Sequence, residues 1–184
     1  MRLANIAALT VSLLTASFSF AQDNTSVSEE FPTATLDENA PREVVKSEHG
    51  DWQLRCTADE SNCFLYQLAL NAEGNPVAEV SLVALPEGGD AVLGATVVTP
   101  LMTLLPQGLT FRVDADPAVK YPFIFCNPAG CFSRFGLTGE TVDAMKSGAN
   151  LQLAVFAVAN RDTPQILDVS LSGFTDGVSA LSTN

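Results

Sequence analysis

Histidine is almost missing from this chain: His49 stands alone among 184 residues. Metal sites built on histidine clusters therefore have no material, and any Ser-His-Asp or Cys-His arrangement would have to use that one ring. No Gly-x-Ser-x-Gly elbow and no Cys-x-x-Cys occurs, and Gly88-Gly89 lacks the lysine and the following helix of a phosphate loop. Basic residues are scarce too, with 9 Lys and Arg against 21 Asp and Glu and a formal charge of −12. Such a surface repels nucleic acid and anionic lipid. It suits a solvated exported protein, and its functional alternative is attraction to a basic partner or to divalent cations. Beyond the N-terminus no run reaches the roughly 18 apolar residues of a membrane helix, because charges or prolines interrupt each one.

What the chain does have begins with a secretory signal. Arg2 is the positive n-region, Leu3 to Leu14 the apolar stretch, and Ser19-Phe20-Ala21 the small-residue cleavage site, so cleavage is expected after Ala21. No transmembrane segment is expected after signal cleavage, and the loss of Arg2 leaves the mature chain more acidic still. Residues 22–46 carry Asp23, Glu29, Glu30, Asp37, Glu38 and Glu43 among Ser, Thr, Asn and Pro. They bury too little apolar surface to offset the entropy of ordering, which predicts a disordered acidic lead. Residues 47–184 then make one domain.

Four cysteines in an exported chain argue for two bridges. Three connectivities are formally open. Chain entropy favours long links, at about 4 to 5 kcal/mol against about 2 to 2.5 for a short ring. Proximity favours Cys56 with Cys63 and Cys126 with Cys131, since Asp59-Glu60-Ser61-Asn62 and Asn127-Pro128-Ala129-Gly130 are turn formers that bring the ends of a hairpin together. The competing reading, zinc, meets spacings that miss the two-residue gap of common ribbons.

The domain alternates in twos. Trp52, Leu54 and Cys56 face one way against Gln53 and Arg55, and Phe64, Tyr66, Leu68 and Leu70 carry the apolar phase of the next strand. Val80 and Leu82 mark a third. Ala91 to Val98 is apolar throughout, which predicts cover on both faces. Phe111 and Val113 stand opposite Arg112, Tyr121–Cys126 and Cys131–Phe135 flank a hairpin, and Leu151–Ala157 and Leu167–Leu171 close the series. Thr138 caps a helix that carries Val142 and Met145 on one face and ends at Gly148, and a weaker helical turn is expected near Gly177 to Leu181. The fold class is all-β: a two-layer antiparallel β-sandwich with one or two short helices, a barrel being the second choice.

Gly50-Asp51-Trp52, Arg55-Cys56, Cys63 and above all Cys126-Asn127-Pro128-Ala129-Gly130-Cys131-Phe132 resemble the invasion-associated locus B family. The likeness continues through Leu104-Leu105-Pro106-Gln107-Gly108, Arg112-Val113-Asp114, Met145-Lys146-Ser147-Gly148 and Ser170-Leu171-Ser172-Gly173-Phe174. It implies an exported β-sandwich protein of the bacterial envelope, linked in some pathogens to entry into host cells, with no catalytic residues and no cofactor.

Weighed as chemistry, His49 is expected as an exposed turn residue. Asp114 and Asp116 read either as a calcium pair or, more simply, as the end of a strand. Arg112 either ladders across strands to a carboxylate or offers its fork to an anionic partner. Leu101, Met102, Leu104 and Leu105, between Pro100 and Pro106, are either a lid over the end of the fold or an exposed contact patch. The functional expectation is a noncatalytic binding module of the periplasm, cell surface or secreted space whose partner is a protein or envelope component. An envelope hydrolase using acidic residues and a structural or assembly factor are its rivals.

Overall fold

The structure is a computed structural model that describes residues 42–183. The expected signal peptide and most of the acidic lead lie outside the described residues. The end of that lead does not: strand β1, Glu43–His49, pairs with β2, Trp52–Thr57, so the folded domain starts before residue 47. Its charges mask a strand that pairs along one edge and leaves most of its side chains exposed.

The chain continues as β3 (Cys63–Leu70), β4 (Pro76–Ala84), β5 (Ala91–Thr99), a 3-10 turn (Leu105–Gln107), β6 (Leu109–Val113), β7 (Val119–Tyr121), β8 (Phe125–Asn127) and β9 (Gly130–Thr138). Helix α1 (Gly139–Ser147), β10 (Asn150–Ala157), β11 (Asn160–Ser170) and helix α2 (Phe174–Ser182) complete it. All strand pairs are antiparallel, in the order β7-β6-β10-β11-β3-β4-β5-β9-β8, with β2 also on β3 and β1 on β2. The all-β antiparallel class with two short helices holds. The strands form one continuous curled sheet where two facing layers were expected. Alternation assigns each strand a dry face but is blind to whether dry faces meet across two sheets or inside one curl.

The two ends of the curl meet. Tyr121 of β7 stacks on Phe135 of β9 with centroids 3.6 Å apart, Phe111 abuts both edge-on, and the Ser133 hydroxyl donates to the Pro122 carbonyl at 2.9 Å. Pro122 cannot donate to a ladder, which splits the expected strand Tyr121–Cys126 into β7 and β8 and lets the chain pass from one sheet end to the other.

Inside the curl lie Trp52, Leu54, Leu65, Val80, Leu82, Leu109, Leu151, Leu153 and Leu167, closed over by the helices. In α1 the Thr138 hydroxyl accepts from Thr141 N, and Val142 and Met145 are buried. In α2, Phe174, Val178 and Leu181 recur at helical spacing toward the core, making a full helix of the turn expected there. The Phe174 ring lies 5.4 Å from that of Trp52.

Two phases differ from expectation. Strand β5 is covered on one face only: Leu93, Ala95, Val97 and Thr99 are buried, while Val92 is exposed and Gly94 and Thr96 are half-buried. A chargeless run hid the alternation. In β3 the buried side chains are Leu65, Gln67 and Ala69, and the bulkier phase, Tyr66, Leu68 and Leu70, faces outward. That inversion makes the site described next.

Candidate functional site

Strand β3 has β4 along one edge, but its other edge is shared. Strand β2 covers it from Cys63 to Tyr66, and β11 meets it only at Leu70. Where β2 and β11 part, the Gln67 side chain fills the gap, donating from Nε2 to the Ser170 carbonyl at 3.0 Å and accepting from Ser170 N at 2.8 Å. The indole N–H of Trp52 donates to the same carbonyl at 2.9 Å. A buried glutamine with both ends satisfied stands in for a missing backbone pair.

This fork opens outward as a cleft of about 740 Å³. Arg55 forms one wall, its guanidinium 3.6 Å over the Tyr66 ring, with Nε and Nη2 donating to Gln53 Oε1 at 3.0 and 2.8 Å. Burial raises the Tyr66 phenol above its ordinary pKa, helped by the charge of Glu79 and opposed by that of Arg55. On the other wall Asp168 Oδ1 accepts from Asn150 Nδ2 at 2.7 Å and from Gln152 Nε2 at 3.2 Å. Leu68 and Leu70 line the cleft as apolar surface, and Asp51 and Asn71 also border it.

Arg112 joins this network and not the leucine-rich loop. Its Nη2 donates across the strands to the amide oxygen Gln152 Oε1 where a carboxylate was expected, and Gln152 Nε2 in turn donates to Asp168. Asp114 is engaged as structure: Oδ2 accepts from Ala149 N at 3.0 Å and Oδ1 from Asn150 N at 2.9 Å, fixing the start of β10. Both oxygens thus serve the backbone where β6 ends and β10 begins.

Leu101, Met102 and Leu105 are exposed and Leu104 half-buried. They are not a lid. Hydrogen bonds from Leu104 N to Phe156 O and from Val158 N to Met102 O pin the loop beside β10 with its apolar side chains outward. His49 is half-buried, not exposed: its Nε2 shares a hydrogen bond with Ser47 Oγ at 2.8 Å, and the end of β1 is backed by α2.

The cysteines pair locally, Cys56 with Cys63 and Cys126 with Cys131, each bridge joining residues directly opposite on neighbouring strands. Asn127 Oδ1 accepts from Ala129 N at 2.8 Å and tightens the second hairpin. The segments Gly50–Trp52 and Ser170–Phe174, far apart in sequence, interlock beside the cleft: Asp51 N donates to Ser172 O at 3.1 Å, Gly50 and Gly173 touch, and Trp52 reaches Ser170.

The family profile described as invasion associated locus B (IalB) protein matches residues 52–182, from the tryptophan that roofs the fork to the end of α2. The chain belongs to the invasion-associated locus B family. Among similar proteins, the invasion protein B homologs of Brucella abortus strain 2308 and of biovar 1 strain 9-941 are each 26% identical over 135 residues, covering 71% of this chain and 75% of theirs. The crystal structure of invasion associated protein B from Bartonella henselae matches with a TM-score of 0.63 at 23% identity, covering 74% of this chain and 95% of that one. The likeness to that family member is one of fold.

Sequence reasoning missed Gln67, Tyr66 and Asp168 as site residues. The signal available was Gln67 itself, a polar side chain in phase with Leu65 and Ala69. Nothing local marks Asp168, because its partners Asn150 and Gln152 come from another strand.

Proposed function

We propose that this chain is an exported, noncatalytic binding protein of the bacterial envelope, held in the periplasm or at the cell surface, that engages its partner through the cleft where β2 and β11 diverge. The cleft carries this reading: it is a concave site with an apolar lining and a few converging polar groups, of which Arg55, Gln67 and Asp168 are held in place by neighbours, as recognition sites require. Asp168 supports a binding role over acid–base work, because it is tied into amide hydrogen bonds on its own wall. Two disulfides suit an oxidising compartment. The name of the Brucella relatives, invasion protein B homolog, makes contact with a host cell one setting for such binding. The exposed Leu101, Met102 and Leu105 favour a second contact surface for the same role.

A photo-reactive side chain at Ala72, on the cleft rim, tests this in intact cells. An adduct formed from position 72 and lost on widening the fork with Gln67→Ala supports the reading. No adduct from the cleft, together with turnover of a cell-wall or glycan substrate by the purified protein, would reverse it in favour of a hydrolase.

A further inference from the structure

We propose that the cleft takes an extended peptide segment and seats one of its lysine or arginine side chains against Asp168. The inference rests on the cleft being the binding site and adds the class of ligand. Leu68 and Leu70 are 39% and 38% exposed beside the cleft walls, a surface for the aliphatic stem of a long basic side chain. Beside them stands a carboxylate already oriented: both amide donors fall on Asp168 Oδ1, and no hydrogen bond among the described residues falls on Oδ2. Asp51 adds a second negative charge at the cleft.

The positive charge opposite, Arg55, is occupied. It donates twice to Gln53, covers Tyr66 and has Glu43 at 3.9 Å. That stacking also argues against a saccharide, since one face of the cleft's aromatic ring is taken by the guanidinium. Asn71 Oδ1 is spent on Glu73 N and Asn75 N and Asn150 Nδ2 on Asp168, which leaves Asn71 Nδ2 and Asn150 Oδ1 as a donor and an acceptor for a peptide backbone. The chain's formal charge of −12 draws a basic segment toward the site.

Fluorescence anisotropy of the purified protein with a short, end-blocked, dye-labelled peptide carrying a central lysine provides the test, with glutamine and glutamate versions and a neutral oligosaccharide alongside. Binding of the lysine peptide should be at least tenfold tighter than of the glutamine version, weaken with added salt, and fall at least tenfold in Asp168→Asn. Ala72→Trp, which adds bulk to the cleft lining at a residue outside the Asp168 hydrogen-bond network, should block it equally, whereas Asp143→Asn on α1 should leave it unchanged. Equal binding of lysine and glutamine peptides, or indifference to both cleft variants, overturns the proposal. Saccharide binding that Ala72→Trp blocks, without peptide binding, overturns the ligand class and leaves the cleft reading standing. If no probe binds and position 72 gives no adduct in cells, both fall.

Discussion

The Gln67 side chain and the Ser170 backbone form a two-way amide pair, 3.0 Å one way and 2.8 Å the other, that joins β3 to β11 where no ladder connects them. Gln67→Leu leaves the Ser170 carbonyl with Trp52 but strands its part-buried N–H, which should cost about 1 kcal/mol or more. Gln67→Glu should be destabilised at neutral pH, with a carboxylate facing a carbonyl, and should recover part of the loss in acid, when the protonated carboxyl can donate again. Urea titrations at two pH values check both. Wild-type stability in Gln67→Leu would show that the fork is held by other contacts.

The touching glycines at the β1–β2 turn and the β11–α2 junction make a sharper comparison. A Cβ on Gly50 would lie 2.5 Å from the Ser172 carbonyl oxygen, and one on Gly173 would fall onto that of His49, both at positive φ. Alanine at either should cost about 2 to 4 kcal/mol. Gly74, also at positive φ but with open space around it, should cost only about 1 kcal/mol. Thermal or urea unfolding of the three variants orders them, and equal losses at all three would mean the close packing is not rigid.

Much of this architecture was legible in the chain and some was not, for identifiable reasons. Trp52-Gln53-Leu54-Arg55-Cys56 shows its dry face because polar residues interrupt it, and the hairpin cysteines show their pairing because turn formers separate them. Strand β5 hid its phase because Ala, Gly, Val and Thr differ too little in polarity. Strand β3 misled because its larger apolar side chains face the cleft. The cleft itself comes from two distant strands leaving a shared edge, a relationship no local pattern carries.

The bridges should act locally. Replacing Cys56 and Cys63, or Cys126 and Cys131, by serine should each remove about 2 to 2.5 kcal/mol without changing the fold. Mass spectrometry of non-reduced peptides should find only these two links, and a cross-link such as Cys56 to Cys126 would contradict the hairpin geometry.

Both tyrosines, Tyr66 and Tyr121, hold their phenols above the ordinary pKa, chiefly because burial disfavours tyrosinate. A folded-state pKa above the unfolded one means a stabilising contribution that is complete below the unfolded value and lost as pH rises through the folded ones. Spectrophotometric titration should therefore show tyrosinate forming at higher pH in the native chain than in the denatured one, with stability falling on the alkaline side. Coincident curves would show that neither ring is shielded.

Hydrogen exchange of the protein with and without the partner crosslinked from position 72 addresses the binding site most directly. Protection should rise at Leu68–Ala72, at Ala149–Asn150 and around Asp168. Protection confined to residues 101–105 or to β1, with the cleft amides unchanged, would contradict the assignment.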